Sequence, residues 1–90
     1  MTIQDSREIL NIILDNINDY EDCVKFNIIK NEMTSIKYDI TKLSNLVYYQ
    51  LLDLINLILK ICNENDLYKL ETYKKWLIHT REKASRKKSI

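Results

Sequence analysis

The chain of 90 residues contains no glycine and no proline. Without glycine, every turn that needs positive φ must be made by a residue carrying a Cβ, at a cost of roughly 1–2 kcal/mol per residue. Tight β-hairpins require such turns, so a hairpin-rich β architecture is disfavoured and helices joined by short polar links are favoured. A glycine-rich phosphate loop is excluded outright. Histidine occurs once and cysteine twice, at Cys23 and Cys62, with no C-x-x-C spacing. That is too few ligands for a tetrahedral zinc site, and the cysteines are expected as packed, reduced thiols. A large net charge is also lacking. At +1 the chain has no overall field that would draw it to nucleic acid or acidic lipid. The opening MTIQDSREIL lacks the basic region and apolar core of a signal peptide, so a cytoplasmic location is expected, that of the host if the gene is viral.

What the chain does have is Leu43 to Cys62, LSNLVYYQLLDLINLILKIC. At 100° per residue Asn45, Tyr49, Asp53, Asn56 and Lys60 collect into one narrow polar stripe. Leucine, isoleucine and valine cover roughly two thirds of the circumference, where a surface helix has an apolar stripe of about 100°. One neighbouring helix cannot cover that much, so the segment is expected at the centre, and a second copy of the chain is expected to complete its burial. A membrane span needs about 20 predominantly apolar residues, and Asp53, Asn56 and Lys60 interrupt the run. No span is expected. Gln50 falls inside the apolar arc, either at its solvent edge or as a buried polar residue that sets pairing register.

Along the chain, Thr2 or Asp5 is placed to cap a first helix, with Asp5 and Glu8 at capping-box spacing. Ile9, Leu10, Ile13, Leu14, Ile17 and Tyr20 mark its inner side and Glu8, Asp15 and Asp19 its outer, and it is predicted to end near Tyr20 to Asp22. Phe26, Ile29, Met33, Ile36, Ile40, Leu43 and Val47 then follow at heptad spacing, and Leu51, Leu54 and Ile58 continue the seam after a four-residue stutter. The spacing predicts one long central helix over about 23–62, with a break near 41–45 as the alternative. As a rod it would be roughly 60 Å long, with Cys23 and Cys62 about 58 Å apart. Asn63 to Asp66 form the clearest turn, with Asn65 or Asp66 expected to cap a last helix running to about Lys83. Leu67, Leu70, Tyr73, Leu77 and Ile78 form its inner stripe, with Trp76 at the margin. The fold class expected is therefore all-α: a small antiparallel helical bundle over residues 1–83, completed by self-association, with a frayed basic tail at 84–90.

The charges are segregated. Residues 1–22 carry Asp5, Glu8, Asp15, Asp19, Glu21 and Asp22 against Arg7 alone. Residues 74–90 carry Lys74, Lys75, Arg81, Lys83, Arg86, Lys87 and Lys88 against Glu82. No catalytic constellation accompanies them, because His79 sits between Lys75 and Lys83 on the wheel with no nucleophile spaced to it. The chain is read as a non-enzyme without cofactor. The expected function is that of a small helical regulator or adaptor whose partners are a second copy, most simply as a dimer, and a protein target. Its apolar seam is Phe26, Ile29, Met33, Ile36, Ile40, Leu43, Val47, Leu51, Leu54 and Ile58. Heavy use of Ile, Asn, Lys and Tyr follows AT-rich codons, which points to a phage, a virus or an AT-rich bacterium, and small phage and viral regulators have this look. The alternative reading is nucleic-acid binding by Lys75, Lys83, Arg86, Lys87 and Lys88, with Tyr73 or Trp76 stacking on bases.

Overall fold

A computed structural model describes residues 1–88, with side chains described as far as Ala84. It contains four α-helices, α1 (Ile3–Asn16), α2 (Tyr20–Ser35), α3 (Asn45–Leu59) and α4 (Glu64–Lys88), and a 3-10 turn at Ile40–Lys42. Among the described residues there is no strand.

Each helix start is fixed by a short polar side chain. Thr2 Oγ1 accepts from the Asp5 N–H at 3.2 Å and Asp5 Oδ2 accepts from the Thr2 N–H at 2.9 Å, a reciprocal capping box. The box is therefore Thr2–Asp5 and not Asp5–Glu8, and the Thr2 N–H holds the Asp5 carboxyl below its usual range. The helix α1 ends at Asn16, earlier than its apolar period suggests. Asp19 accepts from the Glu21 N–H at 2.7 Å and starts α2 at Tyr20, a role that suits aspartate better than a helix interior. Tyr20, expected on the inner stripe of α1, is instead 85% exposed. Ser44 caps α3 through the Val47 N–H, and Asn63, not Asn65 or Asp66, caps α4 by accepting from the Asp66 N–H at 2.9 Å.

The continuous rod does not exist. The helix α2 stops at Ser35, and the whole molecule spans 42 × 25 × 21 Å, shorter than the rod alone would be. The break begins earlier than 41–45, at Lys37 and Tyr38, whose φ values of 55° and 63° lie in the left-handed region. The Tyr38 N–H donates to Met33 O at 2.8 Å and the Lys37 N–H to Thr34 O at 3.1 Å. This is the Schellman ending that glycine normally supplies, made here by lysine. Heptad spacing ran straight through it because the seam residues Ile36, Ile40 and Leu43 pack on the core from the connection as well as they would from a helix.

After the reversal, α3 packs against each of the other three helices, which accounts for its wide apolar arc. Val47, Tyr48, Leu51, Leu54, Ile55 and Ile58 of α3 are buried with Ile9, Leu10 and Ile13 of α1, Phe26, Ile29 and Met33 of α2, and Leu70, Tyr73 and Leu77 of α4. The radius of gyration is 12.8 Å, close to the value of about 12 Å expected for a compact chain of this length. The described residues contain no helix long and apolar enough to cross a membrane. Both cysteines are free and half-buried.

Polar groups also lie inside this core. Ser6 is buried on α1, and burial pushes the Tyr73 phenol from an ordinary 10.0 up to about 12, with Ser6 opposing the shift. As pH rises the unfolded chain therefore loses this proton first. Stability is intact below about pH 10 and falls between about pH 10 and 12, by about 3 kcal/mol for this group. Tyr48, also pushed up by burial, adds to the slope. Tyr73→Phe should flatten the alkaline decline in urea-unfolding free energy, and an unchanged slope would show that Tyr73 is not its source. At Lys37, glycine relieves the left-handed strain but frees the unfolded chain. Lys37→Gly should leave a net gain of up to about 1 kcal/mol in the same assay, whereas a loss would contradict the left-handed ending.

Candidate functional site

The outward face of α3 departs from ordinary surface chemistry. Asn45, Tyr49, Asp53, Asn56 and Lys60 are all exposed, so the polar stripe faces solvent. Beside and among them stand large apolar side chains: Leu46 is 70% exposed, Tyr49 62% and Ile61 58%, with Leu57 also exposed. On the wheel Leu46, Asp53, Leu57 and Lys60 fall within about 60° of one another, so apolar and charged groups share one surface. Tyr49 packs edge-on against Tyr48, with ring centroids 5.3 Å apart. Gln50, at the edge of this face, is half-buried, and its Oε1 lies inside without a hydrogen-bond partner. A second apolar strip on α2, Tyr20, Val24 and Ile28, is exposed opposite that helix's buried side.

The other built feature is a clamp on the connection between α2 and α3. The Arg81 guanidinium donates through Nη1 to Ile40 O at 3.2 Å and Leu43 O at 2.5 Å, and through Nη2 to Asn45 Oδ1. It also lies 5.1 Å from the centre of the Tyr48 ring. From the opposite side Glu32 accepts from the Ser44 N–H at 2.6 Å and the Ser44 hydroxyl at 3.1 Å. Arg7 of α1 sits 5.3 Å from the Tyr38 ring centre, and the Tyr38 phenol is held below its ordinary value by Thr34 first and then by Arg7. Three charged side chains from three helices thus hold a segment of nine residues.

Sequence reasoning missed Arg81. The signal was present, since Arg81 extends the inner stripe Leu70, Tyr73 and Leu77 by one more turn, and a cation on an apolar stripe needs acceptors waiting for it. What the sequence could not reveal was where the acceptors are, because the carbonyls lie about forty residues away.

The seam residues Phe26, Ile29, Met33, Ile40, Leu43, Val47, Leu51, Leu54 and Ile58 are buried within a single chain, with Ile36 partly buried against them. They form its core, and the apolar side chains that α3 leaves exposed lie on its opposite side. Tyr73 is fully buried and Trp76 stacks on it with centroids 5.7 Å apart, half-buried, so Tyr73 does not serve as a stacking platform for bases. The basic row is divided: Lys75 lines a depression with Leu59 and Ile78, whereas Lys83 lies across a groove from Lys42. The side chains of Arg86, Lys87 and Lys88, and residues 89 and 90, lie outside the described residues. His79 is exposed. On the acidic face Glu8 bonds Lys69 at 2.8 Å, tying α1 to α4, and Asp19 is the α2 cap. No three His, Cys, Asp or Glu side chains come together to hold a metal ion among the described residues.

In comparisons with protein-family models, with curated proteins and with solved structures, nothing matches this chain.

Removing Arg81 would leave the carbonyls of Ile40 and Leu43 without their donor. Arg81→Ala should cost about 2–3 kcal/mol in urea unfolding. Arg81→Lys should recover only part of it, since an ammonium cannot span the same acceptors as a planar fork. Full stability in both variants would refute the clamp.

Proposed function

We propose that this chain is a non-enzymatic helical interaction protein, a small regulator or adaptor, and that α3 supplies its docking face. The observation that carries the reading is the exposure of Leu46, Tyr49 and Leu57 on the helix that also fills the core, with Ile61 exposed just past its end. Each such side chain, if covered, contributes roughly 1.5–3 kcal/mol, and an exposed apolar strip rimmed by charge is how helix-on-helix recognition is built.

The occupant proposed is a second copy of this chain. The argument is charge complementarity on the face itself. In an antiparallel pair related by a two-fold axis beside Asn56 and Leu57, facing positions add to a constant. Asp53 then meets the partner's Lys60, and the symmetric pair forms on the other side. Leu57 sits at the centre of that contact, and Tyr49 comes within one turn of the partner's Ile61. Registers that set Asp53 against the partner's Asp53 are disfavoured by repulsion, so the charges choose among alignments that the apolar residues alone would permit.

Molar mass by light scattering, measured over a range of concentrations, tests this. The natural chain should approach twice the chain mass as concentration rises. Asp53→Lys should return it to monomer, and adding Lys60→Asp should restore the dimer. A strict monomer at the highest concentration, or a charge swap that restores nothing, overturns the pairing.

A further inference from the structure

The fold brings Lys42, on the 3-10 turn, and Lys83, near the end of α4, to one groove of about 650 Å³. Thr41, Thr80 and Arg81 also line it, over a floor of Leu43. Two hydroxyls and three cations thus converge from two elements, and among the described residues none that lines the groove is an acid.

The charge of Arg81 is held in place. Its partners Ile40 O, Leu43 O and Asn45 Oδ1 are all neutral, so the guanidinium is fixed without being neutralised. The nearest carboxylate, Asp39, lies 4.0 Å from Lys42 Nζ, and it already accepts from the Thr41 N–H at 3.1 Å and the Thr41 hydroxyl at 2.6 Å. At that distance and exposure it holds Lys42 only loosely. Glu82 does not line the groove; it lines a neighbouring hollow with Tyr48 and Tyr49, which shares Arg81 with the groove. A rigid cation flanked by two adaptable ammonium groups and the Thr80 hydroxyl, with the Thr41 hydroxyl committed to Asp39, suits a tetrahedral oxyanion, above all a phosphate group.

We propose that this groove binds the phosphodiester backbone of nucleic acid, with Lys42 and Lys83 as its direct contacts and Arg81 as the fixed charge in its wall. The source of the phosphate is argued from the sequence beyond the groove. Three further cations, Arg86, Lys87 and Lys88, follow along α4. An extended chain of phosphates uses added charge, and an isolated phosphate ion does not. The site revises the basic row anticipated from sequence. It recruits Lys42, thirty-three residues before Lys75, and leaves Lys75 in a different depression. It meets the outward face of α3 only where Arg81 bonds Asn45, and its proposed direct contacts, Lys42 and Lys83, are not used in the pairing proposed above.

The test is fluorescence anisotropy of the full chain with labelled single-stranded and duplex oligonucleotides at rising salt, with inorganic phosphate titrated in a parallel arm. Binding should weaken with salt. Lys42→Ala with Lys83→Ala should lower affinity roughly tenfold at low salt and reduce the salt slope by about two. Lys25→Ala with Lys30→Ala, an equal loss of charge on α2, should leave binding within about twofold, because those contacts lie outside the groove. Arg81 is left intact so that the fold is not disturbed, and unchanged thermal unfolding of both double variants confirms this. Absence of salt-dependent binding, equal weakening by both double variants, or binding of inorganic phosphate but of neither oligonucleotide would each overturn the proposal.

Discussion

The reversal between Met33 and Asn45 is the constraint on which the rest of the molecule depends. A chain without glycine must turn there with Lys37 and Tyr38 in left-handed conformations, and such residues persist only where their surroundings over-determine them. Those surroundings are visible. The Schellman bonds close the end of α2, Arg7 lies over the Tyr38 ring, Glu32 grips Ser44, and Arg81 takes up two carbonyls and the Asn45 amide. Without that reversal α2 and α3 would run on as one rod, and neither the core nor the groove at Lys42 would form.

Once the reversal is made, hydrophobic burial follows from it. The helix α3 lies against all three others and buries Val47, Tyr48, Leu51, Leu54, Ile55 and Ile58 against them, while part of its apolar arc, Leu46 and Leu57, stays exposed. A chain of this length has too little surface-burying capacity to shelter every apolar residue. Part of the remainder emerges on the outer sides of α2 and α3, where Tyr20, Val24, Ile28, Leu46 and Leu57 meet solvent, and part at Ile3 and Leu14 of α1 and Tyr68 of α4. Small size, and not poor packing, is the physical origin of the surface proposed for partner binding.

Electrostatics divides the molecule in a way that linear charge counts obscure. Acidic groups near the start serve as caps and cross-links, as Asp5, Asp19 and Glu8 do. Among the described residues the cations from Lys74 to Lys83 make no ion pair with a carboxylate, and the fold brings Lys42 to Lys83 at a groove whose described lining holds no acid. A net charge of +1 therefore conceals a local excess of one sign.

The sequence by itself determined that the chain is helical, where its polar stripe on α3 falls, and that this helix lies against several others. These follow from local rules, the lack of glycine and proline and the 3.6-residue period, which act within a few residues of one another. It misplaced the ends of α1 and α2 because apolar periodicity does not register a cap at Asp19 or a left-handed lysine, and the seam from Phe26 to Val47 reads alike through helix and turn. Only the tertiary structure decided the reversal at Lys37, the burial of that seam inside one chain, the clamp by Arg81 and the meeting of Lys42 with Lys83. Each depends on groups dozens of residues apart, whose encounter is set by how whole helices pack and not by any pattern along the chain.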